Sequence, residues 1–134
     1  MSKRQGTRCK YLIDASALYP VLLSGIPFNP EQLAVSYLTE FEIGNVLWKE
    51  GKKKKLKDPE QIAEVFGEAM EDLRKIYVDS IVNVLAIALE RDLTFYDASY
   101  AYIAEKEGLK LITEDAHLLK KCKCAITPKE IESM

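Results

Sequence analysis

Four acidic residues occupy positions in this sequence where a carboxylate could do chemistry: Asp14, Glu42, Asp97 and Asp115. Asp14 follows Tyr11–Ile13, an unbroken apolar, β-favouring segment typical of a parallel strand that is covered on both faces. The residue after such a strand lies at the carboxyl edge of the sheet, where open α/β sheets bind their ligands. Asp is also a common turn and capping residue, so Asp14 alone predicts little.

Glu42 and Asp115 have the same placement at a strand end, and each also has an ordinary structural explanation. Thr39 and Glu42 have the spacing of a capping box, which predicts that Glu42 lies in the first turn of a helix following the strand 33–38. Asp115 follows the strand 109–113 and suits the N-cap of the next helix. A capping role by itself would explain either residue.

Asp97 is harder to explain by local structure alone. It follows Thr94 with N-cap to N3 spacing, and three small residues then recur at helical intervals: Ala101, Ala104 and Gly108. Because small residues are typical where a helix lies close against a sheet, this spacing predicts that Asp97 is on the inward face. A carboxylate there loses its hydration unless a cation or several donors receive it.

Together, the four acids predict a site for a hard divalent cation. Two carboxylates about 5 Å apart repel each other by roughly 3 kcal/mol at an effective dielectric constant near 20, so either their pKa values rise or a cation lies among them. Oxygen ligands alone favour Mg²⁺ or Mn²⁺ over Zn²⁺. A cation held by few carboxylates and keeping several waters is typical of phosphate-ester chemistry, which predicts a metal-dependent phosphodiesterase.

The elements that must position these acids alternate between strand and helix. Strands are predicted at 11–13, 33–38, 109–113 and 124–127, and helices at 15–24, 39–50 (ended by Gly51), from Pro59 onward, 80–91, 94–107 (ended by Gly108) and 114–121. This alternation predicts an α/β fold with a parallel sheet wrapped by helices. The 134 residues suffice for one compact domain over 9–134, preceded by a flexible polar tail over 1–8.

Composition leaves a nucleic-acid partner open. The 19 basic and 21 acidic residues give a net charge of −2, and a local basic patch can act where the total does not. Three cysteines without a secretory signal predict free thiols in a reducing compartment. No apolar run approaches the roughly 18 residues that span a bilayer, so we expect a soluble, cytoplasmic protein.

With these residues in place, the sequence resembles the PIN-domain ribonucleases, and in particular the VapC-type toxins of toxin–antitoxin pairs. The matching segments follow the family's order: Y-L-I-D-A-S around Asp14, F-E-I-G-N-V-L around Glu42, L-T-F-Y-D-A-S-Y-A-Y-I-A around Asp97 and L-K-L-I-T-E-D-A-H-L around Asp115. The resemblance implies a three-layer α/β/α domain with a central parallel sheet of four to five strands. It implies that the four acids are catalytic and bind Mg²⁺ or Mn²⁺, with Ser16, Asn45 and Thr113 in support.

The resemblance also implies partners. RNA is the implied substrate, cut by an endoribonuclease, and a small antitoxin would lay its C-terminal segment across the acidic cleft, with an arginine pairing the carboxylates. The helix 80–91 carries more apolar residues than one face of a surface helix can bury. We therefore expect a homodimer that pairs through helices.

Other functions compete with this interpretation. The alternative is a PIN-type RNA-processing nuclease outside a toxin–antitoxin pair, because the connection 24–33 is shorter than the second helix of many toxins. A receiver-like phosphoacceptor domain would need paired acids after the first strand, and Asp14 stands alone there. A haloacid-dehalogenase-like phosphatase would need Asp where Ser16 stands. A degenerate binding module would have lost acids, and none is missing.

Two further groups give weaker signals. A lysine run offers contacts to an RNA backbone, although a solvated helix end explains it as well: Lys52, Lys53, Lys54 and Lys55. A zinc set could be drawn from His117, Cys122, Cys124 and distant Cys9, but their spacing fits no standard pattern. The seven tyrosines are expected mostly in the core.

Overall fold

A five-stranded parallel sheet forms the centre of the computed structural model, which describes residues 9–24 and 29–132. Its strand order is β3-β2-β1-β4-β5. The strands are β1 (Tyr11–Ile13), β2 (Leu33–Ser36), β3 (Arg74–Ile76), β4 (Lys110–Ile112) and β5 (Ala125–Ile126). The predicted α/β fold with a parallel sheet is therefore confirmed. The predicted flexible tail over 1–8 and part of the connection 24–33 lie outside the described residues.

Helices connect the strands and cover both faces of the sheet. In the described part of the chain they are α1 (Ala15–Ser24), α2 (Tyr37–Lys52), α3 (Pro59–Glu71), α4 (Ile81–Arg91), α5 (Phe95–Glu107), α6 (Ala116–Lys121) and α7 (Pro128–Glu132), with a short 3₁₀ helix at Pro30–Gln32. None of them is both long and apolar enough to cross a membrane.

Alternating strand residues feed two separate cores, one on each side of the sheet. Leu12 and Leu111 pack on the side of α4, α5 and α6, whereas Ile13 and Ile112 pack on the side of α1, α2 and α3. All four side chains are fully buried. This is the three-layer α/β/α arrangement, and its uninterrupted apolar strands are what a doubly covered parallel sheet requires.

The close approach of α5 to the sheet is confirmed. Ala98, Ala101 and Ala104 are completely buried on this helix. Gly108 ends it in the left-handed region, with φ of 70°, and its backbone N–H donates to Ala104 O. That conformation favours glycine. The N-terminal end of α5, which carries Asp97, is thereby held against the carboxyl edge of the sheet.

The predicted boundaries of α2 were wrong at both ends. The helix begins at Tyr37, because Ser36 is the N-cap and its Oγ accepts a hydrogen bond from Leu38 N at 3.1 Å. Glu42 is therefore not in the first turn, and Thr39 is not a cap. Gly51 lies inside the helix, and a Cβ built there would stand only 3.0 Å from Pro59 Cγ, so close packing explains this glycine.

Candidate active site

Asp14 and Thr113 lie side by side at the carboxyl edge of the sheet. The parallel pairing of β1 with β4 sets Ile13 opposite Ile112, so the residues that follow these two strands meet. Asp14 N donates to Ile112 O at 3.1 Å, and Thr113 Oγ1 donates to Asp14 Oδ2 at 2.5 Å. The strand register alone brings these two side chains together.

Asp14 is buried and held on both oxygens, with only 4% of its surface exposed. Its Oδ1 accepts hydrogen bonds from Ser16 Oγ at 2.7 Å and from Ala17 N at 3.1 Å. Burial raises the pKa of Asp14 and the nearby Asp115 raises it further, whereas the bonds from Thr113 and Ser16 lower it. The carboxylate is therefore fixed in place and costly to ionise without a cation.

Both supporting hydroxyls connect Asp14 to the backbone that leads into α6. Ser16 Oγ accepts from Glu114 N at 3.0 Å, and Thr113 Oγ1 accepts from Asp115 N at 3.0 Å. Each hydroxyl thus accepts a backbone N–H and donates its own proton to Asp14. Ser16 and Thr113, which the resemblance implied as supporting residues, thus hold the Asp14 carboxylate by hydrogen bonds.

Glu42 is oriented by a buried pair of hydroxyls that the sequence analysis did not identify. Tyr100 is 2% exposed, and its hydroxyl donates to Glu42 Oε1 at 2.5 Å. The same hydroxyl lies 2.8 Å from Oγ1 of fully buried Thr39. Burial raises the pKa of Glu42, Tyr100 lowers it, and Asp14 and Asp97 raise it further. Tyr100 follows Asp97 by one helical turn, and this spacing is the feature of the sequence that could have indicated its place beside the acids.

Asp97 and Asp115 complete the group. Asp97 is half-buried, and its backbone N–H donates to the Thr94 hydroxyl at 3.1 Å, as the capping interpretation predicts. Burial raises the pKa of Asp97 and Asp115 raises it further, whereas Thr94 and His117 lower it. Asp115 is the N-cap of α6, and its Oδ1 accepts from the backbone N–H groups of residues 117 and 118.

The structure brings the four carboxylates together as an open electrostatic ring. Asp115 raises the pKa values of Asp14 and Asp97, and Asp14 and Asp97 both raise that of Glu42. No three of the four bring oxygens within 4.8 Å of one another. An open set of oxygen donors suits a hard cation that keeps several waters, so the residues fit Mg²⁺ or Mn²⁺.

In the described part of the chain, Asn45 and the lysine run form no hydrogen bond with the four acids. Asn45 is exposed on α2, one turn beyond Glu42. The exposed lysines Lys52–Lys55 begin ten residues after Glu42, which is about 15 Å along a helix axis. The zinc set of the sequence analysis does not assemble either, because Cys122 and Cys124 meet Glu105 instead of His117 or Cys9.

Replacing Thr113 by valine is expected to destabilise the protein by about 1–3 kcal/mol, because a fully buried hydroxyl that serves Asp14 and Asp115 N is lost. Divalent-cation affinity should fall by roughly 10–100-fold, as for other residues that orient ligands. Urea denaturation of the metal-free protein measures the first effect. The Thr113→Ser variant keeps the hydroxyl and serves as control. A valine variant as stable as wild type would show that the bond to Asp14 contributes little.

The metal-free protein is expected to gain stability as pH falls from neutrality through the raised pKa values of Asp14, Glu42 and Asp97. Between the ordinary and the raised pKa values, the folded state binds more protons than the unfolded chain, so the free energy of unfolding increases on acidification. Arg91 lowers the pKa of Glu105, so the stability that this ion pair contributes is lost only as pH falls from the ordinary pKa of a glutamate through the lowered value.

The contribution of the acidic ring to the pH dependence of stability is therefore measured as the difference between wild type and a variant that lacks one of its acids. Wild type should gain more stability than Asp97→Asn as pH falls from neutrality towards the ordinary pKa of an aspartate, measured by urea denaturation in the presence of a chelator. Parallel pH profiles for the two proteins would mean that Asp97 does not titrate under the influence of its neighbours.

The chain is similar to known proteins in both sequence and structure. A family model described as PIN domain matches residues 11–123, which include all four acids. Exonuclease VapC9 of Pyrobaculum aerophilum is 41% identical over 119 residues, covering 87% of this chain and 89% of the relative. Ribonuclease VapC3 of the same organism is 32% identical over 131 residues, covering 89% of this chain and 99% of the relative.

Solved structures have the same architecture. The crystal structure of PAE2754 from Pyrobaculum aerophilum has a TM-score of 0.85 and 39% identity, and covers 92% of this chain and 93% of its own. A toxin–antitoxin complex from Klebsiella pneumoniae has a TM-score of 0.65 and 22% identity, covering 89% of this chain and 98% of its own, and shares the fold.

Proposed function

The chain belongs to the PIN domain family, and on that premise we propose that it is a ribonuclease that hydrolyses phosphodiester bonds of RNA with a divalent cation. Its proposed ligands and catalytic residues are Asp14, Glu42, Asp97 and Asp115. The observation that carries this proposal is the ring of carboxylates at the carboxyl edge of the sheet, where burial and the charge of neighbouring acids raise the pKa values of Asp14, Glu42 and Asp97. The names of two relatives that cover most of the chain, an exonuclease and a ribonuclease, support it.

In this proposal the four acids hold the cation, and neighbouring hydroxyl groups orient the acids. When bound, the cation supplies Lewis-acid activation of the phosphate and of a water molecule. Ser16 and Thr113 fix both oxygens of Asp14, and Tyr100 fixes one oxygen of Glu42. Because these donors are themselves held by neighbours, little reorganisation is needed when substrate binds. Asn45 is proposed to contact a water molecule or RNA phosphate at the exposed rim.

We propose that cleavage is endonucleolytic, and a circular single-stranded RNA tests it because such a substrate has no ends. The purified protein should linearise the circle with Mn²⁺ or Mg²⁺ and leave it intact with a chelator. A linear RNA of the same sequence should be cut under the same conditions. Cutting of the linear RNA alone would assign an exonuclease. Equal cutting of either RNA with the chelator present would contradict metal dependence.

Within this function, we propose that the protein is the toxin of a toxin–antitoxin pair. The acidic ring would receive an arginine from a small antitoxin by bidentate pairing with carboxylates. Expression of wild type in the host should then arrest growth, expression of Asp97→Asn should not, and co-expression of a small neighbouring reading frame should restore growth. Harmless expression of an active enzyme would favour the alternative, an RNA-processing nuclease. Because either role acts on cellular RNA, we propose that the protein is cytoplasmic.

The lysine run Lys52–Lys55 is proposed to contact the RNA backbone outside the ring. These side chains are exposed at the end of α2, and Lys52 Nζ lies 4.9 Å from the centre of the Trp48 ring. Their distance from Glu42 along α2 is comparable to the length of a few nucleotides of RNA. They would therefore contact phosphates that flank the cleavage site and not the scissile phosphate.

We further propose a homodimer through α4. This helix turns Val84 and Ala88 into the core and exposes four large apolar side chains: Ile81 (71% exposed), Val82 (76%), Leu85 (47%) and Leu89 (76%). Such an apolar face on a small domain is typical of an interface. The Val82→Lys/Leu89→Lys double variant is expected to sediment as a monomer, with its fold retained because both positions are exposed. A monomeric wild type at high micromolar concentration would remove this proposal.

A further inference from the structure

Two of the three cysteines lie in contact on the edge of the sheet, away from the acidic ring. Cys122 caps the C-terminal end of α6, and Cys124 directly precedes β5. Their sulfur atoms are 3.1 Å apart, which is about 1 Å longer than a disulfide bond. Both are free thiols in the structure, as is Cys9, whose Sγ points to Tyr11 O at 3.9 Å.

The two sulfurs differ in protonation and in access. A hydrogen bond from Cys122 lowers the pKa of Cys124 to about 7, whereas the same bond, together with burial, raises the pKa of Cys122. Cys122 is 2% exposed and Cys124 is half-buried. The reachable sulfur is therefore the one with thiolate character near neutrality, and the buried sulfur remains protonated beside it. This is the arrangement of an attacking thiolate and a resolving thiol.

The surroundings argue against a metal ion at this pair. Glu105 is the third potential ligand, and Cys122 Sγ lies 3.6 Å from its Oε2. However, both oxygens of Glu105 accept from the Arg91 guanidinium, at 2.6 Å and 2.9 Å. A bidentate ion pair keeps a positive charge beside the sulfurs, and two thiolates alone do not make a structural zinc site.

We propose that Cys122 and Cys124 are a redox-active dithiol that forms a reversible intramolecular disulfide by exchange with a low-molecular-weight disulfide. The Cys124 thiolate attacks one sulfur of that disulfide and releases the first thiolate, forming a mixed disulfide on Cys124. Cys122 then loses its proton to solvent, and its sulfur attacks Cys124 Sγ and releases the second thiolate. The two protein thiols are oxidised, and the small disulfide is reduced to two thiols.

The disulfide would join the end of α6 to the start of β5. Cys124 O accepts from Leu111 N in β4, so the bond would form at a backbone segment that is already held by the sheet. To form it, the two sulfurs must approach each other by about 1 Å. This inference is independent of the proposed ribonuclease activity.

Oxidised glutathione is the probe for the test. The reduced full-length protein is incubated with excess reagent, denatured and treated with N-ethylmaleimide. Of the three cysteines, two are expected to be joined, so one maleimide is taken up instead of three. Lys123 lies between the pair, so trypsin should yield the fragments 122–123 and 124–129 linked through sulfur. Reduction should separate them.

Variants separate the roles of the cysteines. Cys9→Ser should oxidise as wild type does, whereas Cys122→Ser or Cys122→Ala should stop at a mixed disulfide on Cys124. Uptake of three maleimides by oxidised wild type, a persistent mixed disulfide in wild type, or a link that includes Cys9 would each overturn the proposal. The wild-type tryptic result stands even if a variant at buried Cys122 fails to fold.

Discussion

Replacing Asp97 by asparagine is expected to reduce metal-dependent RNA cleavage by at least about 100-fold, while the metal-free protein becomes as stable as wild type or more stable. Substitutions that only disturb metal ligands indirectly already cost roughly 10–100-fold, so the loss of a ligand should cost more. Stability should rise because burial and Asp115 raise the pKa of Asp97, and a neutral amide removes this unfavourable charge.

Cleavage must fall while the free energy of unfolding stays unchanged or rises. Cleavage is followed with a labelled single-stranded RNA in Mn²⁺, and stability by urea denaturation with a chelator present. Glu68→Gln is the matched control, because Glu68 is an exposed acid near the end of α3, which leads into the opposite edge of the sheet. A fully active Asp97→Asn protein would show that the four acids are not the catalytic group. An inactive but unfolded one would show that Asp97 is structural.

The second large effect concerns Asp14, whose replacement by asparagine is expected to abolish the thermal stabilisation caused by Mn²⁺. A cation at about 100 times its dissociation constant stabilises the folded state by about 2.7 kcal/mol. For a domain of this size that is a rise in Tm on the order of 10 °C. Asp14 is the most buried of the four carboxylates and accepts three hydrogen bonds, so it is the best fixed ligand.

Thermal scans of wild type and Asp14→Asn, with Mn²⁺ and with chelator, measure this effect. Asparagine keeps an oxygen for Ser16 and Ala17 N, so the variant should remain folded. A rise in Tm that survives in the variant would place the stabilising cation elsewhere. A response of wild type to Zn²⁺ alone would favour sulfur and imidazole ligands.

The parts of the fold that depend on strong local patterns could be predicted from the sequence. Tyr11–Ile13 and Lys110–Ile112 are apolar enough to identify buried strands, and Asp14 and Asp115, which follow them, lie at the carboxyl edge of the sheet. Strand β3 was missed because Arg74 and Lys75 leave it only Ile76 as a buried residue. It is an edge strand with few apolar contacts on one face. Its sequence therefore does not differ from that of a loop.

Long-range contacts explain the other errors. Ser36 and Thr39 are both acceptable caps for α2, and the choice depends on Tyr100, which hydrogen-bonds Thr39 inside the protein. No pattern within α2 reveals that partner. The same contact makes Tyr100 part of the site through Glu42. The Cys122 and Cys124 pair was noticed, but its neighbour Glu105 comes from another helix.

Calorimetric titration of Mn²⁺ tests the central claim, that four carboxylates together hold one catalytic cation centre. The proteins are wild type, the four single variants Asp14→Asn, Glu42→Gln, Asp97→Asn and Asp115→Asn, and the control Glu68→Gln. We expect each of the four substitutions to weaken Mn²⁺ binding at least about 10-fold, whereas the control should bind as wild type does. Wild-type affinity in all four variants would contradict it.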